Sequence, residues 1–198
     1  MKVGTRLIVA GAMVLLLMPG VWSAAQDSLD ARSAGGLVAL DIALEAPEVV
    51  AGLVLVSPSL FGYVPKEMPG YFEDLMVALR AGDFEGANEV LLSASIMSVP
   101  DGRKALVRRM VEENERFWTI PYSLLKLESP SAIERLGEIE APTLILVGEK
   151  DEAAIRAEGD LLERGIAGAR LVSIEGGGHL LNLTSPASFR EALVGDWR

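Results

Sequence analysis

Ala31-Arg32-Ser33-Ala34-Gly35-Gly36 runs directly into Leu37-Val38-Ala39-Leu40. A serine two residues ahead of a glycine pair, followed by an apolar run of helix formers, reads as a sharp turn into a helix. The glycines carry no Cβ, so another stretch of backbone can pack close to this turn. A serine so placed can point its hydroxyl outward, with the first backbone N–H groups of the helix behind it. The same pattern also fits a plain N-cap, in which the Ser33 hydroxyl accepts a bond from a helix N–H. What decides between the two lies more than a hundred residues downstream.

Working outward, residues 35–46 read as a helix with Leu37, Leu40 and Leu44 on one face, stopped by Pro47 because the residue before a proline is pushed out of helical geometry. Val54-Leu55-Val56, inside Ala51 to Ser57 and closed by Pro58, is expected to be a strand buried on both faces. Residues 64–129 change character. Phe72, Leu75, Met76 and Leu79, then Val90, Leu91 and Met97, then Leu106, Met110, Phe117 and Trp118 recur at helical spacing, with Asp83 and Asp101 as caps and Pro100 and Pro121 as punctuation. Several amphipathic helices with no strand between them follow from this pattern, and Arg103, Lys104, Arg108 and Arg109 read as a solvated helix face offset by Glu112, Glu113 and Glu115.

After a short helix within 130–140, Pro142 leads into Thr143-Leu144-Ile145-Leu146-Val147, the clearest buried strand in the chain. Gly148 ends it, and Glu149-Lys150-Asp151 sits directly beyond. A helix with Ile155, Leu161, Leu162 and Ile166 follows, then a strand over Arg170 to Ile174, then Glu175-Gly176-Gly177-Gly178-His179. Ser185 caps a last helix that opens at Pro186. Strands alternating with helices, interrupted by an all-helical insertion, predict an α/β fold: a short parallel sheet flanked by helices. Residues 26–63 and 130–198 form its core, and 64–129 form an inserted helical cap.

Composition narrows the function. The chain has 198 residues, half of them apolar, and a formal net charge of −10. An acidic chain lacks the basic surface that nucleic acid or anionic lipid requires. It has no cysteine and one histidine, so neither a disulfide framework nor a thiolate or multi-histidine metal site is expected, and no cofactor is implied. His179 is the one side chain whose ordinary titration range suits proton transfer near neutral pH. At the N-terminus, residues 1–25 read first as a signal peptide directing the protein to the periplasm or outside the cell. Lys2 and Arg6 are basic, Leu7 to Met18 is apolar, Pro19-Gly20 breaks the run, and Ser23-Ala24-Ala25 offers a cleavage site. An uncleaved apolar helix anchoring the chain to a membrane is the second reading. The third is a buried strand over Leu7-Ile8-Val9-Ala10.

In a parallel α/β sheet, ligands bind beyond the carboxyl ends of the strands. Asp151 lies just past one strand, His179 just past the next, and Ser33 opens the helix that precedes the first clear strand. The order Ser, Asp, His and this placement allow a nucleophile, a general base and an orienting carboxylate to meet at one rim. The backbone N–H of Ala34 is the natural donor to a developing oxyanion. Each residue also has a plainer role open to it: N-cap for Ser33 or Asp151, a satisfied loop histidine for His179. Glu149 is a competing acid.

These motifs resemble the α/β-hydrolase fold with a helical cap. Ser33 to Leu40 resembles its nucleophile elbow, Val54 to Ser59 its next strand, Ala141 to Asp151 its acid-bearing strand, and Gly178-His179-Leu180-Leu181-Asn182-Leu183 its histidine loop. The nearest flavour is the esterase and enol-lactonase-like branch. A serine at the elbow sets the chain apart from the dehalogenase and epoxide hydrolase branches, which use an aspartate there. The resemblance implies a Ser33–His179–Asp151 triad acting on a small ester or lactone through an acyl-enzyme. The pattern departs from the family at three points. Ala31 stands where the elbow usually has glycine, Gln26 to Arg32 is polar where a strand should feed the elbow, and no His-Gly pair upstream marks a second oxyanion donor. Two readings therefore stay open: a serine hydrolase, or a catalytically impaired remnant that binds a partner. In either case an unpaired sheet edge is expected where earlier strands would lie, open to a second copy or a partner chain.

Overall fold

The computed structural model describes the backbone of residues 7–11, 13–15, 31–114, 118–119 and 130–195, and the side chains among these from residue 35 onward. In chain order the described elements begin with β1 (Leu7–Gly11), β2 (Met13–Leu15), α1 (Ala31–Glu45) and β3 (Val50–Val56). Then come α2 (Phe72–Ala81), α3 (Phe84–Ser93), α4 (Asp101–Glu113) and α5 (Ala132–Arg135). The chain closes with β4 (Thr143–Gly148), α6 (Ala153–Gly165), β5 (Arg170–Ile174), α7 (Leu181–Thr184) and α8 (Pro186–Gly195). The sheet order is β2-β1-β3-β4-β5. β1, β3, β4 and β5 pair in parallel, and β2 runs antiparallel to β1.

The period-2 geometry of a strand explains why β3 and β4 read as unbroken apolar runs: both of their faces are covered. Leu53 and Leu55 of β3 and Ile145 and Val147 of β4 face a cluster with Ala39, Leu40 and Ala43 of α1 and Leu162 of α6. Their neighbours Val54, Val56, Leu144 and Leu146 face the other way, onto Ile174, Leu181 and Ala192 of α8. The result is a helix–sheet–helix sandwich. Every residue of β4 is buried, whereas β5, at the edge, is exposed at Arg170 and Ser173.

The inserted segment folds as α2, α3 and α4, with no strand among its described residues. Asp83 caps α3 as expected, its carboxylate accepting from the Gly86 N–H at 2.8 Å. Asp101 is already the first helical residue of α4, and Pro100 is its cap. The basic face of α4 is solvated and paired: Arg108 with Glu89 and Glu112, Arg109 with Glu113, Lys104 with Asp101. Exposed pairs of this kind contribute little to stability. Leu91, Met97, Val99, Val107 and Val111 pack on Leu180, which the core supplies directly after His179. The cap thus grips the loop that carries the histidine.

Two expectations need correcting, and a third is met. Leu7–Gly11 follows the third reading of the N-terminus, a strand. It lies in register with β3, Val9 opposite Leu53 and Ala10 opposite Val54. The free edge expected beside β3 is therefore occupied, and the outermost strand on that side is β2. Removal of residues 1–25 as a leader would strip β3 of this partner. Finally, α1 begins at Ala31, so Ser33 lies inside the first helical turn and does not serve as its N-cap.

Candidate active site

Two loops at the carboxyl ends of neighbouring strands build the site. Glu149 N–H donates to the Ile174 carbonyl (3.0 Å) and Lys150 N–H to the Gly177 carbonyl (2.8 Å). The Glu149 carboxylate accepts from Gly176 N–H at 3.0 Å. Glu149, the competing acid, thus ties the two loops together and does not face the imidazole. Gly176 adopts φ +66°, which glycine reaches without strain. At Gly148 the constraint is space. A Cβ there would stand 2.3 Å from the Gly177 carbonyl oxygen and 2.6 Å from that of Gly178, both backbone atoms. Gly148→Ala should therefore destabilise the protein by about 1–3 kcal/mol, since the loop must move to admit the methyl group. Denaturant unfolding of the variant checks this.

The consequence of this stitching is the contact between Asp151 and His179. His179 Nδ1 lies 3.0 Å from Asp151 Oδ1 and 3.1 Å from Oδ2. Both residues are buried, and the Asp151 side chain has no solvent exposure. Asp151 Oδ1 also accepts from Glu152 N–H at 2.8 Å, which fixes the carboxylate plane. With a carboxylate against Nδ1, that nitrogen holds the proton and donates it. Nε2 is then the proton acceptor of the ring. A buried acid–imidazole pair of this geometry orients a general base and stabilises the imidazolium that forms when it takes a proton.

Ser33 and Ala34 fall in the first turn of α1. The Ser33 hydroxyl lies outside the described residues, and the backbone of Ala34 is described only as the fourth residue of α1. Three residues on, the close approach read from the glycine pair is present. A Cβ on Gly36 would meet Pro58 Cβ at 2.8 Å and the Ser59 carbonyl oxygen at 3.2 Å. The turn after β3 therefore presses against α1 near its start.

Two residues of the site went unread in the sequence. Ser57 directly follows β3, is fully buried, and donates its hydroxyl to the His179 carbonyl at 3.1 Å. Glu158 is a 7%-exposed carboxyl on the inner face of α6, accepting from Leu60 N–H at 3.3 Å. The signal for Glu158 was there, because it interrupts the apolar stripe formed by Ile155, Gly159 and Leu162. Burial pushes its carboxyl up to about 7, the Leu60 N–H bond draws it down, and the charge of Asp151 adds a smaller upward push. Between the ordinary glutamate range and about pH 7 the folded chain keeps a proton that the unfolded chain has released. The contribution of Glu158 to stability is therefore fully present below the ordinary glutamate range and is lost as pH rises through about 7. Glu158→Gln keeps an oxygen for Leu60 N–H and removes the titration. It should flatten the loss of stability between about pH 5 and pH 8 by about 1–2 kcal/mol, after allowing for solvent screening. Urea unfolding of both proteins at the two pH values measures this.

A sheet with crossover helices, an inserted helical cap, and an acid–imidazole pair beyond two adjacent strand ends defines a hydrolase-fold α/β protein. The sequence model of the Alpha/beta hydrolase family matches residues 31–192, and the chain belongs to that family. It is 27% identical over 177 residues to the putative carbamate hydrolase RutD of Pseudomonas savastanoi pv. phaseolicola, a match covering 81% of this chain and 63% of that protein. The structure of a thermophilic esterase matches at 26% identity with a TM-score of 0.63, covering 82% of this chain and 62% of that one. The enol-lactonase from Burkholderia xenovorans LB400 shares the fold at 21% identity and a TM-score of 0.63, covering 83% and 62%. The chain thus spans a little under two thirds of the length of these relatives.

Proposed function

We propose that the chain is a serine hydrolase that cleaves a small carboxylic ester or lactone through an acyl-enzyme. The observation that carries this reading is the buried Asp151–His179 pair, Nδ1 to Oδ1 at 3.0 Å, in a family member whose matched segment opens on the turn containing Ser33. Likeness to proteins described as an esterase and an enol-lactonase supports the ester or lactone class. In this scheme His179 Nε2 takes the Ser33 proton as Ser33 Oγ attacks the carbonyl carbon, and Asp151 steadies the imidazolium. The Ala34 N–H donates to the oxyanion. Collapse expels the alkoxide, which receives the proton from His179 and leaves as the alcohol. Water then attacks the acyl-enzyme with His179 again as base, releasing the acid and restoring Ser33. A carbamate carbonyl, the group in the name of the RutD relative, is open to the same attack.

The cap carries a cavity of about 410 Å³ in which Met97, Val99 and Val107 stand beside Ser93, Ser95, Ser98, Lys104 and Arg108, and neither Asp151 nor His179 lines it. The test is a pre-steady-state measurement with p-nitrophenyl acetate. The expected result is a burst of one p-nitrophenolate per folded chain, followed by slower turnover. A folded protein with neither burst nor turnover, on this ester and on a set of short lactones, would overturn the proposal.

A further inference from the structure

We infer that Ser57 is a positioning residue for His179. Its hydroxyl ties the main chain at His179 to the end of β3, and so fixes the imidazole relative to α1. The inference rests on the hydrolase reading above for its catalytic consequence, but not for its geometry.

Ser57 has φ +44°, the one non-glycine residue in the left-handed region among the described residues. An L-residue with a Cβ is strained there, and glycine is the residue that relieves such strain. Glycine would satisfy the turn but could not donate. Serine does, because its Oγ reaches the His179 carbonyl at 3.1 Å across 122 residues of sequence. Ser57 N–H donates to the Leu146 carbonyl of β4 at 2.8 Å, so the residue is held from both sides. It is wholly buried, and no water competes for either bond.

The same turn touches the other half of the site. Pro58 and Ser59, the next two residues, form the wall against which Gly36 of α1 is packed. A turn of three residues thus contacts the histidine loop through Ser57 and the helix carrying Ser33 through Pro58. The His179 carbonyl accepts a second bond, from Leu181 N–H at 3.0 Å. Deleting the Ser57 hydroxyl therefore leaves that carbonyl partnered, and the loss falls on position more than on stability.

The test compares Ser57→Gly, which removes the hydroxyl and relieves the backbone, with Ser57→Ala, which removes the hydroxyl and keeps the Cβ. His179 is the one histidine in the chain, so its Nδ1–H resonance needs no further assignment. The expected result is that Ser57→Gly melts at or above the parent temperature while its Nδ1–H exchanges with solvent about tenfold faster. Phosphonylation by a fluorophosphonate, in which a P–O bond forms and fluoride leaves, should slow by about tenfold, with the fall in the inactivation rate constant and not in the affinity for the probe. Ser57→Ala should show the same losses. Parent-like exchange in either folded variant overturns the inference, as does a loss of phosphonylation matched by the fraction unfolded. If the parent itself is never phosphonylated, the hydrolase reading fails, and the exchange comparison alone decides the role of Ser57.

Discussion

Ser33→Ala should lower kcat for ester hydrolysis by about 10⁴–10⁶-fold while leaving KM and the melting temperature close to the parent values. The magnitude follows from what the serine supplies. In the proposed mechanism, removing its Oγ removes the covalent intermediate and leaves the His179–Asp151 pair no nucleophile to activate. Residual turnover would come from water attacking the bound ester. The structural cost is small because Ser33 lies inside the first turn of α1, where alanine is the better helix former. A steady-state assay beside a thermal melt separates the two effects. A variant that keeps a tenth or more of the parent kcat would remove Ser33 from the mechanism.

Asp151→Asn should lower kcat by about 10⁴-fold with the fold retained. Glu152 N–H, 2.8 Å from Asp151 Oδ1, would hold the asparagine oxygen in that place. The amide NH₂ would then occupy the position of Oδ2, 3.1 Å from His179 Nδ1, where it opposes the Nδ1 proton beside the one remaining oxygen at 3.0 Å. Rings that relieve this opposition by carrying their proton on Nε2 can no longer accept one from Ser33 in the proposed mechanism. The loss is thus one of tautomer, and it appears in kcat. Parent-like activity in a folded Asp151→Asn protein would show that Asp151 only shapes the loop.

Much of this arrangement is legible in the sequence because local chemistry encodes it. β3 and β4 are buried on both faces, which leaves an unbroken apolar run. The loops beyond β4 and β5 carry an acid and a histidine that the parallel sheet brings to one end. Strand order sets the two loops side by side, and the bonds between them bring Asp151 to His179. What escapes the sequence is non-local. Leu7–Gly11 follows two basic residues and opens a long apolar run, so the strand is one of three readings the residues allow, and only its pairing with β3 selects it. The role of Ser57 depends on a backbone angle and on a partner 122 residues away, neither of which leaves a pattern. The early start of α1 has a simpler cause. Ala31 and Ala34 favour the helix enough to carry it past the glycine pair toward the N-terminus.

The central claim is that the Ser33 hydroxyl is the group the buried imidazole activates. The most direct measurement is to treat the folded chain with a fluorophosphonate, digest it, and locate the adduct by peptide mass. The account predicts one adduct per chain on the peptide containing Ser33, absent from Ser33→Ala and strongly slowed in Asp151→Asn. An adduct on any other residue, or none on protein shown to be folded, would contradict it.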